Sequence, residues 1–246
     1  MITVYYGMNP RLVWAHARAK EPYNVYEDFL TKNFDGRPKN LETLGYHRCP
    51  AFGEEMTNVY GIKSIYDFRY RLTGNPDNPG ELHSDYDDVF YERNGVRARC
   101  FDQKLFTMGV YYYFFTEEDH LLMSYQHPYL EDNRFTDRCV LIPGRLDIGR
   151  YFRGLDLSYH LRDSVDNFQI KQEDTYAYVK FHTEEKIQFK RFLFSPTLIE
   201  NDDHMMREKM YKMSHKRLGL RYFYNIFKLN GYKKKALKEI KENLCE

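Results

Sequence analysis

The sequence predicts a mainly β fold: an antiparallel sandwich or jelly-roll-like barrel of about eight to ten strands, with a short N-terminal α/irregular region and a helical C-terminal extension. Three observations carry this. Leu155, Leu157, Tyr159 and Leu161 alternate with Asp156, Ser158 and His160, the period of two that gives a strand one buried and one wet face. Further apolar runs at 138–142, 168–170, 175–181 and 187–194 follow at short intervals, which favours antiparallel pairing within one sheet system. After Pro196 the period changes to one near 3.6, so a mainly β body, 1–196, gives way to a basic helical extension, 197–246.

The elements follow in order. Ile2 to Tyr6 is a strand stopped by Gly7 and by Asn9-Pro10. Pro10 suits the first position of a short helix over 11–20, capped by Asn9, and a second short helix covers Val25 to Lys32. Gly36 to Asn40 is a loop. Cys49-Pro-Ala-Phe52 leads into a long alternation in which Tyr60, Ile62, Tyr66, Phe68, Tyr70 and Leu72 share one parity. It is too long for one strand, so a bend is expected near Lys63-Ser64. Residues 73–80 are dense in Gly, Asn and Pro and form a surface turn.

Asn94-Gly95 predicts a type I′ hairpin, because both residues tolerate positive φ, with Val96 to Cys100 as the return strand. Val110-Tyr-Tyr-Tyr-Phe-Phe115 is apolar at every position, as in a strand covered on both faces. Glu117 to Asp119 then turns into Leu121, Met123 and Tyr125, giving a meander. Ala177, Val179 and Phe181 face one way, and Glu184-Glu185 turns into the next strand. There Ile187 and Phe189 hold one parity and Phe192 and Phe194 the other, which predicts a β-bulge near Lys190-Arg191. Asp202-Asp203 can cap a helix from His204, with Met206, Met210, Met213, Arg217 and Leu220 along one side. Gly231 is its stop, and a last basic helix, Tyr232 to Leu244, is expected to fray.

With 246 residues the chain can bury a core without metal or disulfide staples. Aromatics reach 17%, with 23 Tyr and 18 Phe, which suits strands and, through the polar tip of Tyr, interfaces. The net charge of +1 is unevenly spread: from His204 onwards twelve Lys or Arg face four Glu, a surplus of eight, leaving a mildly acidic body. Four widely spaced Cys contain no CxxC pair, so no zinc knuckle or redox motif is indicated. The N-terminus does not resemble a signal peptide, and no apolar run nears the length of a membrane span. No membrane association is expected. The phosphate-loop, dinucleotide, serine-hydrolase and zincin signatures are all missing, and no cofactor is expected.

Three groups of residues carry possible chemistry. Arg145, Asp147, Arg150, Arg153, Asp156 and His160 lie beside Gly144, Gly149 and Gly154, which permit close approach of backbone or ligand. They form a candidate anion site, or else a set of surface Arg–Asp pairs. In the C-terminal segment Lys209, Lys212, Lys216, Arg217, Arg221, Lys228, Lys233, Lys234 and Lys235 can contact phosphates, with Tyr222 or Tyr224 for stacking. The competing reading is a helix packed on the sheet with its Lys in water. His83 and Asp85 have the spacing of two ligands in a 2-His-1-carboxylate iron site, with His182 as third; the competing reading is a solvated acidic loop.

Tyr5-Tyr-Gly-Met-Asn-Pro-Arg-Leu-Val13, Cys49-Pro-Ala-Phe52, Gly144-Arg-Leu-Asp-Ile-Gly-Arg-Tyr-Phe-Arg153 and Thr175-Tyr-Ala-Tyr-Val-Lys-Phe181 together resemble an uncharacterised protein family of tailed bacteriophages. The resemblance covers roughly residues 1–195. It implies a viral context, in the host cytoplasm or the virion, and no catalytic residue. The expected function is therefore non-catalytic binding or structure through protein–protein contacts or self-association. The alternatives are a nucleic-acid-binding accessory protein using the C-terminal helices, and a small-molecule enzyme with its site in the β-barrel.

Overall fold

A computed structural model describes residues 1–8, 19–34, 49–65, 67–72, 80–83, 96–100, 104–162, 166–202, 222, 224–225, 227 and 231–245. The turns at 36–40 and Asn94-Gly95, the helix at 204–220, and all but the last residues of the expected helix over 11–20 and turn over 73–80 lie outside these residues; of those last residues, Ala19 and Lys20 are not helical and Gly80 opens a strand. What is described is mostly β, in several sheets with a few short helices.

A six-stranded sheet runs in the order β14 (Ile187–Arg191), β1 (Ile2–Met8), β7 (Leu105–Thr116), β11 (Gly154–Leu161), β9 (Cys139–Leu141), with β6 (Val96–Cys100) also on β7. A five-stranded sheet runs β10 (Gly144–Asp147), β8 (Leu122–Gln126), β13 (Thr175–Phe181), β3 (Val59–Lys63), β2 (Tyr23–Asn24). A three-stranded sheet runs β12 (Asn167–Ile170), β4 (Phe68–Leu72), β5 (Gly80–His83). The apolar runs expected in one sheet system are thus divided among three. The bend in the long alternation is real: β3 and β4 flank it in different sheets.

Two connections read as hairpin turns are crossings. Glu117 to Asp119 carries the chain from β7 to β8, and Glu184-Glu185 carries it from β13 to β14, each time between the five- and six-stranded sheets. The expected meander through Tyr125 is therefore absent, because alternation reports which face is buried and not which strand is the neighbour. Between these sheets lies the first core. Phe181 of β13 meets Phe114 of β7 and Phe189 of β14 at ring centroid distances of 5.9 and 5.8 Å. Tyr60 of β3 stands perpendicular to Phe189 at 4.8 Å. The alternation of β11 is as read, with Leu155, Leu157, Tyr159 and Leu161 buried in this core.

No bulge occurs at Lys190-Arg191. β14 pairs with β1 in parallel and in unbroken register from Ile2 opposite Ile187 to Tyr6 opposite Arg191. The change of parity has another cause. Ile187 and Phe189 pack into the first core, while Phe192 and Phe194 turn to a second one on the far face of the six-stranded sheet. β7 serves both, with Tyr112 and Phe114 in the first core and Tyr113 and Phe115 in the second, so its expected burial on both faces is found.

Three short helices pack on the sheets, the first two together and the third through Phe135, which lies against Tyr159 and Phe168. In α1 (Val25–Phe34) the Asn24 side chain accepts from the Tyr26 and Glu27 amides at 3.0 and 3.1 Å, capping the helix. α2 (Pro50–Met56) starts on Pro50, where the missing N–H costs nothing; it stands where the sequence suggested only a lead-in to a strand. α3 (Arg134–Arg138) was also not foreseen, although Asn133 and Thr136 form a capping box there. Val25, Met56, Val59 and Tyr178 make a small third core beneath α1 and α2.

The second core is closed by the C-terminus. Ala236 and Ile240 of α4 (Tyr232–Glu242) are buried beside Tyr5, Phe115, Phe152, Phe192 and Phe227. The end of α4, expected to fray, is tied to the body by backbone hydrogen bonds. The Leu193 amide donates to the Asn243 carbonyl and the Cys245 amide to the Arg191 carbonyl, both at 2.9 Å, and Leu244 bridges Phe192. Residues 243–245 thus continue the edge beyond β14, and their backbone groups are satisfied there. The described part of the C-terminal segment packs on the body and does not project from it.

Candidate functional site

Two turns and the start of α4 converge on one cleft. After β7 the chain passes through Glu117, Glu118, Asp119 and His120; after β10 it passes through Asp147, Ile148, Gly149 and Arg150. The turns are pressed together: a Cβ on Gly149 would lie 2.3 Å from the Glu118 carbonyl oxygen. Only glycine permits that approach. Asp147 ties them. It is 4% exposed, and its Oδ1 accepts from the Leu121 and Gly149 amides at 3.2 and 3.1 Å. Its other oxygen lies 3.0 Å from Nδ1 of His120 and 3.5 Å from Nε of Arg150.

The charges assign the tautomer of His120. A carboxylate only accepts, so Nδ1 carries the proton and donates to Asp147; a guanidinium only donates, so Nε2 accepts from Nη2 of Arg150. Across the cleft, α4 begins on Gly231 with φ of +66°, and among the described residues no side chain caps its first amides, so the positive end of the helix lies at the cleft. Lys233 donates to the Glu118 carbonyl at 2.8 Å and reaches Asp119 at 3.4 Å. Lys234 is exposed.

The cleft so formed measures about 590 Å³, within the roughly 300–1,000 Å³ of small-molecule sites. Among the described residues, Arg150, Lys233 and Lys234 line it against a single acid, Asp119, with His120 at the rim and Phe227 and Leu237 as apolar wall. It can hold an anionic group beside an apolar one.

The six residues of the predicted anion set do not converge. Asp147 and Arg150 belong to the cleft. Arg153 pairs with Asp156 at 2.7 Å and lies 5.9 Å over the Tyr151 ring. Arg145 is exposed on β10 opposite Ser124, and His160 sits on β11 between Leu105 and Val140. Nor do the other two glycines admit a ligand. The Tyr125 ring lies against Gly144 and the Tyr113 ring against Gly154, each from the directly opposite residue of the neighbouring strand, an aromatic covering a glycine.

Of the C-terminal set, Lys209, Lys212, Lys216, Arg217, Arg221 and Lys228 lie outside the described residues. Tyr222 and Tyr224 pack against the second core, and the Tyr224 hydroxyl accepts from the Asp147 amide at 3.1 Å. They are structural here. Lys233 is bound to the body; Lys234 and Lys235 face water. For the metal set, Asp85 lies outside the described residues and His83 pairs on β5 with Arg69. His182 contacts the Ser124 hydroxyl at 2.9 Å, and burial, then Lys180 and Arg145, hold its pKa below the ordinary imidazole value. Among the described residues no three His, Cys, Asp or Glu gather as metal ligands.

His120, Asp119 and Leu237 were not singled out in the sequence. Their partners lie some 30 or more than 100 residues away, and no spacing rule links such positions. Among the described residues no helix is long and apolar enough to cross a membrane. No family model, no curated protein and no solved structure matches this chain.

Proposed function

We propose that the protein acts by binding, without chemistry of its own, an anionic group in the cleft between the two turns and α4. One observation supports this above the others: Arg150, from the predicted anion set, and Lys233 and Lys234, from the predicted C-terminal set, line one cavity with an uncapped helix start. Cations converging from two parts of the chain stabilise an anion more than any one of them does singly. The resemblance to a phage protein family is the reason for proposing an infected cell or a virion as the setting, where the anion would be carried by a small ligand or by an acidic partner. The shared core of the five- and six-stranded sheets fits the sandwich architecture expected from the strand pattern.

Calorimetric titration of the purified protein with inorganic phosphate at low ionic strength tests the reading. Binding that weakens at least tenfold in Lys234→Glu and in Arg150→Ala is the expected result. Heats indistinguishable from dilution, or variants that bind like the parent, would overturn it. Nucleic-acid binding has less support, since both tyrosines proposed for stacking are partly buried against the second core.

A further inference from the structure

We propose that His120 is a proton-linked contact of this cleft: an oxyanion binds between the Arg150 guanidinium and a protonated His120, so each bound anion brings one proton with it. This rests on the anion-binding reading above and adds the means by which that site is regulated. The geometry that carries it is the chain Asp147–His120–Arg150. Nδ1–H of His120 is donated to Asp147 at 3.0 Å, and Nε2 accepts from Arg150. Protonating Nε2 turns that acceptor into a donor. Two donors then face one another, and their contact breaks. Asp147 still holds the other edge of the imidazole and, at 3.5 Å, the guanidinium. Both groups then present N–H bonds toward the space between them, as an oxyanion requires.

The charges around His120 set the sign. Asp147 behind it and Asp119 beside it favour the imidazolium. Arg150 in its own turn and Lys233 and Lys234 on α4 oppose it. An anion cancels the opposing charges, so it favours protonation; by reciprocity, protonation strengthens anion binding by the same factor. Imidazoles change charge between about pH 5 and 8, and the affinity for anions is therefore expected to rise as pH falls through that window. Such a site takes up its ligand on acidification and releases it toward alkaline pH. The Asp147 carboxylate is buried and held by two amides, so it orients the imidazole and does not compete for the ligand.

The test uses sulfate, whose charge is constant over this range. Titration of the whole chain at pH 5.5, pH 6.8 and pH 8.0, each in two buffers of different ionisation heat, reports both affinity and proton uptake. The expected result is binding at least tenfold tighter at pH 5.5 than at pH 8.0, with net uptake of about half a proton or more per anion at pH 6.8. In His120→Asn, an exposed and therefore tolerant position, sulfate still binds but with the same affinity at all three pH values. Wild-type binding that is equally strong at all three pH values, or a pH dependence that survives in His120→Asn, would overturn the proton linkage and leave the anion cleft standing. No sulfate binding at any of these pH values would overturn both.

Discussion

The two large cores of this protein are built from the same kind of side chain and differ in how they are enclosed. The first lies among the three sheets, and their backbone ladders hold it shut. The second lies between one sheet and α4, and side chains do much of the holding. Lys241 pairs with Glu117 at 2.8 Å, Glu117 accepts from the Tyr5 hydroxyl at 2.6 Å, and Ser195 donates to Glu239 at 2.5 Å. A ladder leaves no polar atom free to meet a ligand. A seam closed by charged side chains leaves some, and the cleft lies at that seam.

Substitutions can break this contrast, beginning with the largest effect. Phe114→Ala removes a ring from the first core and should cost about 3–5 kcal/mol, read by chemical denaturation as a loss shared by every probe. Ile240→Ala in the second core should cost about 2–3 kcal/mol, less because a helix at the chain end can settle into part of the space. Hydrogen exchange should then show α4 opening while β11 and β13 stay protected. Equal loss of protection in both would mean that the cores are one cooperative unit.

Tyr113→Phe sharpens the contrast. The Tyr113 hydroxyl donates to Asp202 at 2.5 Å in a buried setting, so its removal takes a donor from a carboxylate that is 4% exposed. A cost of about 1–3 kcal/mol is expected, measurable by denaturation and falling on the second core alone.

The smallest effect is at Glu117. Hydrogen bonds from Lys241 and then Tyr5 hold its carboxyl below the usual carboxylate range. A carboxyl depressed in the folded protein contributes stability that is complete above its unfolded value, about 4.3, and is lost as pH falls through its folded value. Glu117→Gln should therefore cost under about 1 kcal/mol at neutral pH, because the pair is half exposed and screened by water. The difference from the parent should shrink as pH falls below the unfolded value and vanish once the folded carboxyl is protonated. A difference that does not shrink on acidification would mean that Glu117 acts by packing instead.

The same contrast explains what could be read beforehand. β11 was legible residue by residue, because burial on one face writes a period of two into its sequence. The burial of β7 on both faces was legible from Val110 to Phe115. The partners of these strands were not: the turn at Glu117 to Asp119 looks alike whether it closes a hairpin or crosses to another sheet. Phe192 and Phe194 betrayed a change of face, and a bulge was the local explanation; the cause was a second core completed by Ile240, some fifty residues on. The cleft suffered in the same way. Arg150, Lys233 and Lys234 were each recognised as candidates, yet in different sets, since only folding brings the turn after β10 to the start of α4. His120 gave no signal, because its role depends on Asp147, which sequence spacing does not connect to it.

The central claim is that the cleft at this seam takes an anion. The most direct measurement is a titration of the isotope-labelled protein with sulfate at pH 6, followed by backbone amide and imidazole NMR shifts. The account predicts saturable changes confined to Gly149, Arg150, the amides of Tyr232 to Lys234 and the His120 ring. Changes that do not saturate, or that spread over exposed lysines such as Lys235 and Lys238 while those residues stay still, would contradict it.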